Sequence, residues 1–274
     1  MTATAPQHTL TEAAPRLAFH RIVRSEWIKL RTLRSTVWSY LIVIVMAVGL
    51  SALMASTPHT GASQLEAASQ ARLLAQTSTV GLAFGQLVVA VLGVLVISGE
   101  YSTGMIRSTL TAVPKRLPAL WAKAVVLFVA TFVIGVVSTV LAFFASLAIF
   151  APDGVSANLF DPSVYLVLLG SAFYLAVLSV FSLGIGAILR NSAGGIAVSL
   201  GIILLLPTLW SLIPWDWARD AFRYLLTNAG NDLYSARPAG DPNGLEPWQD
   251  ALVILVWTAV SVAGAALLLR RRDA

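Results

Sequence analysis

Thr79–Ser98 reads TVGLAFGQLVVAVLGVLVIS, and Gly99–Pro118, directly after it, reads GEYSTGMIRSTLTAVPKRLP. The first stretch carries no charge and has the length, about 20 residues, that an α-helix needs to cross the hydrocarbon core of a bilayer. The second turns polar at once, with Glu100, Arg107, Lys115 and Arg116. An uncharged run of this length that ends in a basic segment decides the fold class, an all-α integral membrane protein.

Five more stretches repeat the first signal: Val37–Ala55, Ala124–Phe150, Val164–Leu189, Gly195–Ile213 and Ala251–Leu269. The expectation is a six-helix transmembrane bundle. The third span exceeds what a bilayer requires, so it should tilt or project. Pro207 should kink the fifth. Composition agrees: of 274 residues 57% are hydrophobic and 11% charged, with mean hydropathy +0.80. Soluble domains carry about 25% charged residues. One core cannot hide so much apolar surface, so a disordered chain is excluded and a soluble enzyme disfavoured. There is no cysteine, hence no disulfide or thiolate metal site, and the three histidines lie outside the apolar segments.

Loop charges set an orientation. With both termini in the cytoplasm, fourteen Lys and Arg residues lie inside and four outside. The positive-inside rule favours that arrangement. The first span reads as a retained anchor: its apolar run is longer than a signal peptide's, and Leu53 before Ala55 makes a poor cleavage site.

Residues 1–18, rich in Thr, Ala and Pro, read as a disordered cytoplasmic tail; residues 19–274 form the membrane domain. From Phe19, apolar residues recur at helical spacing: Ile22, Val23, Trp27, Leu30, Leu33 and Val37. Arg21, Arg24, Arg31 and Arg34 fill much of the rest, and Lys29 adds to the basic set. This predicts a basic amphipathic helix in the membrane interface, leading into span 1, with Trp27 at the boundary. It serves as an anchor, or also docks a cytoplasmic partner.

In Gly99–Pro118, Ser102 or Thr103 can cap a short helix with Met105, Ile106 and Leu110 along one side. Pro114 ends it and Pro118 suits the first turn of span 3. The segment is a solvated connector in which Glu100 balances Arg107, Lys115 and Arg116, or a lever between a soluble partner and the spans. Arg190–Gly194 is a tight turn, with Gly194 and Gly195 suited to the break and Arg190 to an interfacial anchor. Pro214–Asp250 should hold short interfacial helices with an aromatic belt, followed by a Pro/Gly-rich loop at Ser235–Pro247. Gly81/Gly85, Ser182/Gly186 and Gly195/Ser199 form small-xxx-small pairs that permit close helix approach. Gln86 bonds another helix or lines a pathway.

No phosphate-binding loop, metal-binding helix motif or nucleophile elbow occurs. The six spans as bounded contain no ionisable residue, unlike most ion-coupled carriers. A six-span protein that moves something would then draw its energy from a separate ATPase pressing on the Gly99–Pro118 segment.

Three segments resemble the permease subunits of ABC-2 type transporters: RSEWIKLRTLRS, SGEYSTGMIRSTLTAVPKR with the AK that follows, and LRNSAGGIAVSL. The resemblance runs from Arg21 to Arg272. It implies an N-terminal interfacial helix (Arg21, Arg24, Trp27, Lys29, Arg31, Arg34) and a cytoplasmic coupling helix at Ser102–Val113. Glu100, Tyr101, Gly104, Met105, Ile106, Arg107 and Leu110 would couple the chain to its partner, with Glu100 at the junction of that helix with span 2. It implies an external re-entrant or helical segment before span 6. It also implies a plasma-membrane permease without its own ATPase, paired with an ATP-binding protein that carries ATP and Mg, and with a second permease subunit, identical or not. Membrane lipids complete the partners; nucleic acid is not among them. The cargo of such a permease is drug-like, peptide or lipid-like. A non-transporting membrane scaffold or sensor would share the basic leader. An intramembrane enzyme would need paired acids or a Ser/His set at membrane depth, which the spans lack.

Overall fold

A computed structural model describes residues 18–57, 62–105, 117–235 and 245–271. The tail 1–17, the expected coupling helix beyond Met105, most of the loop 235–247 and Arg272 lie outside the described residues. Among those described there is no strand. Six helical segments are long and apolar enough to cross a membrane, so the chain is a multi-pass integral membrane protein.

The helices are α1 (Phe19–Thr32), α2 (Arg34–Ala55), α3 (Ala67–Thr79), α4 (Leu82–Ser102), α5 (Leu117–Phe150) and α6 (Pro162–Leu189). The fifth span is composite: α7 (Ser192–Leu200), a π-turn (Gly201–Leu205) and α8 (Leu206–Trp210). Short α9 (Asp216–Phe222) and α10 (Leu226–Tyr234) precede α11 (Pro247–Arg271), the sixth span. Several spans outrun their apolar cores. The runs 79–98 and 124–150 are free of ionisable residues as read, but the helices run past them, so Glu100 stands in α4 and Lys123 in α5.

α6 is the hub and packs against α3, α4, α5, α7, α10 and α11. It can do so because its contact positions are small: Ser171, Ala172, Ala176, Ser179, Ser182, Gly184 and Gly186 are all buried. Without a hydrophobic drive between helices in lipid, close backbone approach supplies the attraction. A Cβ at Gly135 of α5 would sit 2.9 Å from the Ala172 Cα, and one at Gly93 of α4 would strike the Ser179 carbonyl. Ser261 of α11 donates to the Phe181 carbonyl at 2.7 Å. The small-xxx-small pairs lie at such contacts: Gly81 abuts Ala47 of α2, and Gly186 abuts Val94 of α4, where Gly195 also packs. Gln86 takes the first of its two expected roles. Its Oε1 accepts from the Tyr174 hydroxyl of α6 at 2.8 Å, both residues being buried.

Pro207 distorts the fifth span as expected, through the π-turn that precedes it. Proline has no N–H, so the Ile203 carbonyl four residues earlier lacks its α-helical donor. Thr227 of α10 supplies one, its Oγ1 donating at 3.1 Å. The turn before α7 differs from expectation. The break falls on Arg190, whose φ of 54° is left-handed, and on Asn191, whose side chain accepts from the Gly194 N–H at 2.9 Å. Gly194 and Gly195 lie inside α7, where a side chain on Gly195 would press on Val94.

The two short helices expected before the sixth span are α9 and α10. Exposed Trp215 and Trp217 flank the start of α9, and Trp210 Nε1 donates to the Ala218 carbonyl at 2.8 Å. Nothing in the hydropathy announced α3, whose Ala71, Leu74, Ala75 and Ser78 are buried against α5 and α6.

Candidate coupling site

The interfacial helix expected before span 1 is α1, and it meets α2 at an elbow. Leu33 is extended (φ −73°, ψ 116°), and its carbonyl accepts from the Thr36 and Val37 amides. Arg34 therefore opens α2 rather than closing α1. The elbow lets α1 lie along α5, where Ile22 packs with Ala119 and Ala122. Its buried line is Ile22, Glu26 and Leu30, four residues apart. Arg21, Arg24, Arg31 and Arg34 stay exposed, and Trp27 is 38% exposed. Lys29 departs from this basic face and turns inward.

Four charges meet where α1, α4 and α5 converge. Lys123 Nζ donates to Glu26 Oε2 at 2.5 Å and to Glu100 Oε1 at 2.6 Å. Lys29 Nζ donates to Glu26 Oε1 at 2.7 Å and to Glu100 Oε1 at 3.0 Å. Glu26, Glu100 and Lys123 retain only 5%, 6% and 4% exposure. A charge so deep is tolerated only when paired; here two acids share two ammonium groups and the set is neutral. Burial opposes protonation of Lys29, but its hydrogen bond and charge interaction with Glu26, reinforced by Glu100, hold its pKa above the ordinary lysine value. The expected partners of Glu100 (Arg107, Lys115 and Arg116) lie outside the described residues.

Of this cluster, Glu100 and Lys29 were named as candidates from the sequence, whereas Glu26 and Lys123 stood in the quoted segments RSEWIKLRTLRS and AK with no role of their own. The signal for Glu26 was available: it sits midway between Ile22 and Leu30 at four-residue spacing. Lys123 had no such signal, since it borders the apolar run that begins at Ala124.

The residues after Glu100 revise the expected cap. Ser102 and Thr103 do not start a helix. Both hydroxyls donate back to the Gly99 carbonyl, at 3.0 and 2.8 Å, and close the end of α4. Gly104 takes a left-handed φ of 72°, which any side chain would strain. Met105 follows, 43% exposed; Ile106, Arg107 and Leu110 lie outside the described residues. The Arg190 guanidinium stands over the Tyr101 ring, 5.2 Å from its centroid, and Ser192 Oγ donates to Ser98 Oγ at 2.9 Å. The α6–α7 turn is thus fastened to the same end of α4.

Among the described residues no group of three or more His, Cys, Asp or Glu side chains could hold a metal ion. The cluster ties an amphipathic helix to the ends of two spans through short ion pairs.

A six-span bundle with a peripheral helix pinned at one end has the architecture of a multi-pass membrane protein. The chain belongs to the ABC-2 family of transporter proteins, whose model matches residues 22–207, from within α1 to Pro207. It is therefore a permease subunit of an ABC transporter. A search of curated proteins finds no match to the chain.

Proposed function

We propose that this permease works with a separate ATP-binding protein and a second permease subunit, exporting a drug-like, peptide or lipid-like cargo, with both termini in the cytoplasm. ATP and Mg belong to the partner. The observation that carries the reading is the Glu26–Lys29–Glu100–Lys123 cluster, which stands at the end of α4. A partner that pushes on Met105 and the residues after it moves the ends of α4 and α5, and through Glu26 and Lys29 it moves α1. The exposed Met105 supplies part of an apolar contact for a groove on the partner.

Two substitutions test this. Met105→Asp places a charge in the contact and should release the co-purifying ATPase. Glu100→Gln should keep the ATPase bound but lower transport per ATP hydrolysed, with membrane abundance as the control. Wild-type transport in Glu100→Gln together with full ATPase retention in Met105→Asp would defeat the assignment.

A further inference from the structure

The ion cluster forms one wall of a cavity of about 520 Å³. The rest of the lining is mainly apolar, Leu30 and Leu33 at the elbow, Leu95 and Val96 on α4 and Val126 on α5, with hydroxyls from Thr32, Ser35 and Thr103. Gly99 also faces the cavity, and a Cβ built there meets no atom of the described residues within 4 Å. The missing side chain keeps the space beside Glu100 open. Cavities of this size, apolar with a few convergent polar groups, suit a small amphiphile.

The cluster's hydrogen bonds do not balance. Both lysines donate to Glu100 Oε1, and between them they use both oxygens of Glu26. Glu100 Oε2 is buried and has no donor among the described residues. A buried carboxylate oxygen left without a donor is costly and points to a missing partner. Lys29 and Lys123 already make the cluster neutral, so what Oε2 lacks is a donor: a carboxylate or phosphate oxygen has no proton to give it, and a protonated amine does.

We propose that this cavity binds an alkylammonium amphiphile. Its ammonium donates to Glu100 Oε2, and its tail lies along Leu33, Leu95, Val96 and Val126. This rests on the transport reading and names a cargo class for it, but the binding itself requires no ATPase.

The test uses the full chain in phosphatidylcholine nanodiscs without the ATP-binding protein. Tetradecylamine bearing a diazirine on its chain is the photoprobe, and labelled residues are mapped by mass spectrometry. Label is expected on the α4 and α5 walls. Excess tetradecylamine should suppress it, and tetradecanol or tetradecanoate should compete about tenfold more weakly, the worth of one charge-assisted hydrogen bond. Gly99→Leu, which fills the space without meeting backbone, should abolish it, and Glu100→Gln should lower it about tenfold. Equal protection by tetradecanol would show an apolar pocket that reads no charge. Stronger protection by tetradecanoate would reverse the assigned charge. Protection by phosphatidylethanolamine in the disc would give the site to a lipid headgroup. Each of these outcomes, or undiminished label in Gly99→Leu, overturns the proposal. If Glu100→Gln fails to fold, the wild-type competition and Gly99→Leu still decide. A transport defect in Glu100→Gln with unchanged labelling would leave the coupling reading standing and remove this site.

Discussion

Lys123 Nζ lies 2.5 Å from Glu26 Oε2, although 97 residues separate them. The bond joins the helix that precedes the first span to the start of the third. Because both groups are buried, neither can fall back on water when the other is lost. Lys123→Met should therefore destabilise by about 3–5 kcal/mol, the usual consequence of an uncompensated buried charge. Adding Glu26→Gln should recover part of that loss. Thermal denaturation in detergent measures both, and strictly additive losses would show that the two groups are not coupled.

Gly93 and Gly99 share α4 but face different surroundings, the first against the Ser179 carbonyl and the second open space. Gly93→Leu should cost about 1–3 kcal/mol or more by overpacking the α4–α6 contact. Gly99→Leu should be neutral or slightly stabilising, since glycine in a helix costs about 1 kcal/mol against good helix formers. Folded yield and melting temperature separate the two.

Thr227 serves the carbonyl that Pro207 leaves without a helical donor. Thr227→Val should cost about 1–3 kcal/mol, and Thr227→Ser much less. In a Pro207→Ala background, where residue 207 regains its N–H, the penalty of Thr227→Val should shrink. An undiminished penalty in that double-mutant cycle would show that the hydroxyl does not compensate for the proline.

Lys29 has a raised pKa in the folded chain. The sign is then set: its contribution to holding α1 is complete below the unfolded lysine pKa, about 10.4, and is lost as pH climbs through the raised folded value. Spin labels on Arg24→Cys and Trp121→Cys should report a constant α1–α5 distance at neutral pH and a broadened one in strong alkali. Lys29→Arg should move the change to higher pH.

The charge bias of fourteen to four calls for both termini on one side of the membrane. The chain has no cysteine, so single cysteines can be placed cleanly. Ala274→Cys should react with an impermeant thiol reagent only in inverted vesicles, and Ala239→Cys only in intact cells. Labelling of both from one side would contradict six spans with this orientation.

The spans were legible in the amino-acid sequence because bilayer thickness imposes a length and an apolar composition that any 20-residue window displays. The small-residue pairs, Pro207 and the basic exposed face of α1 were legible for the same kind of reason: each is a local pattern. The ends of α4 and α5 were not, since Glu100 and Lys123 look like loop charges until a partner across the bundle neutralises them. That pairing joins α1, α4 and α5, and no local window contains all three. The elbow at Leu33 has the same origin, because burying Ile22, Glu26 and Leu30 against α5 requires α1 to leave the axis of α2. Hydrophobicity is a property of each residue and can be summed along the chain. The compensation of a buried charge belongs to a set of residues, and only the folded bundle assembled that set.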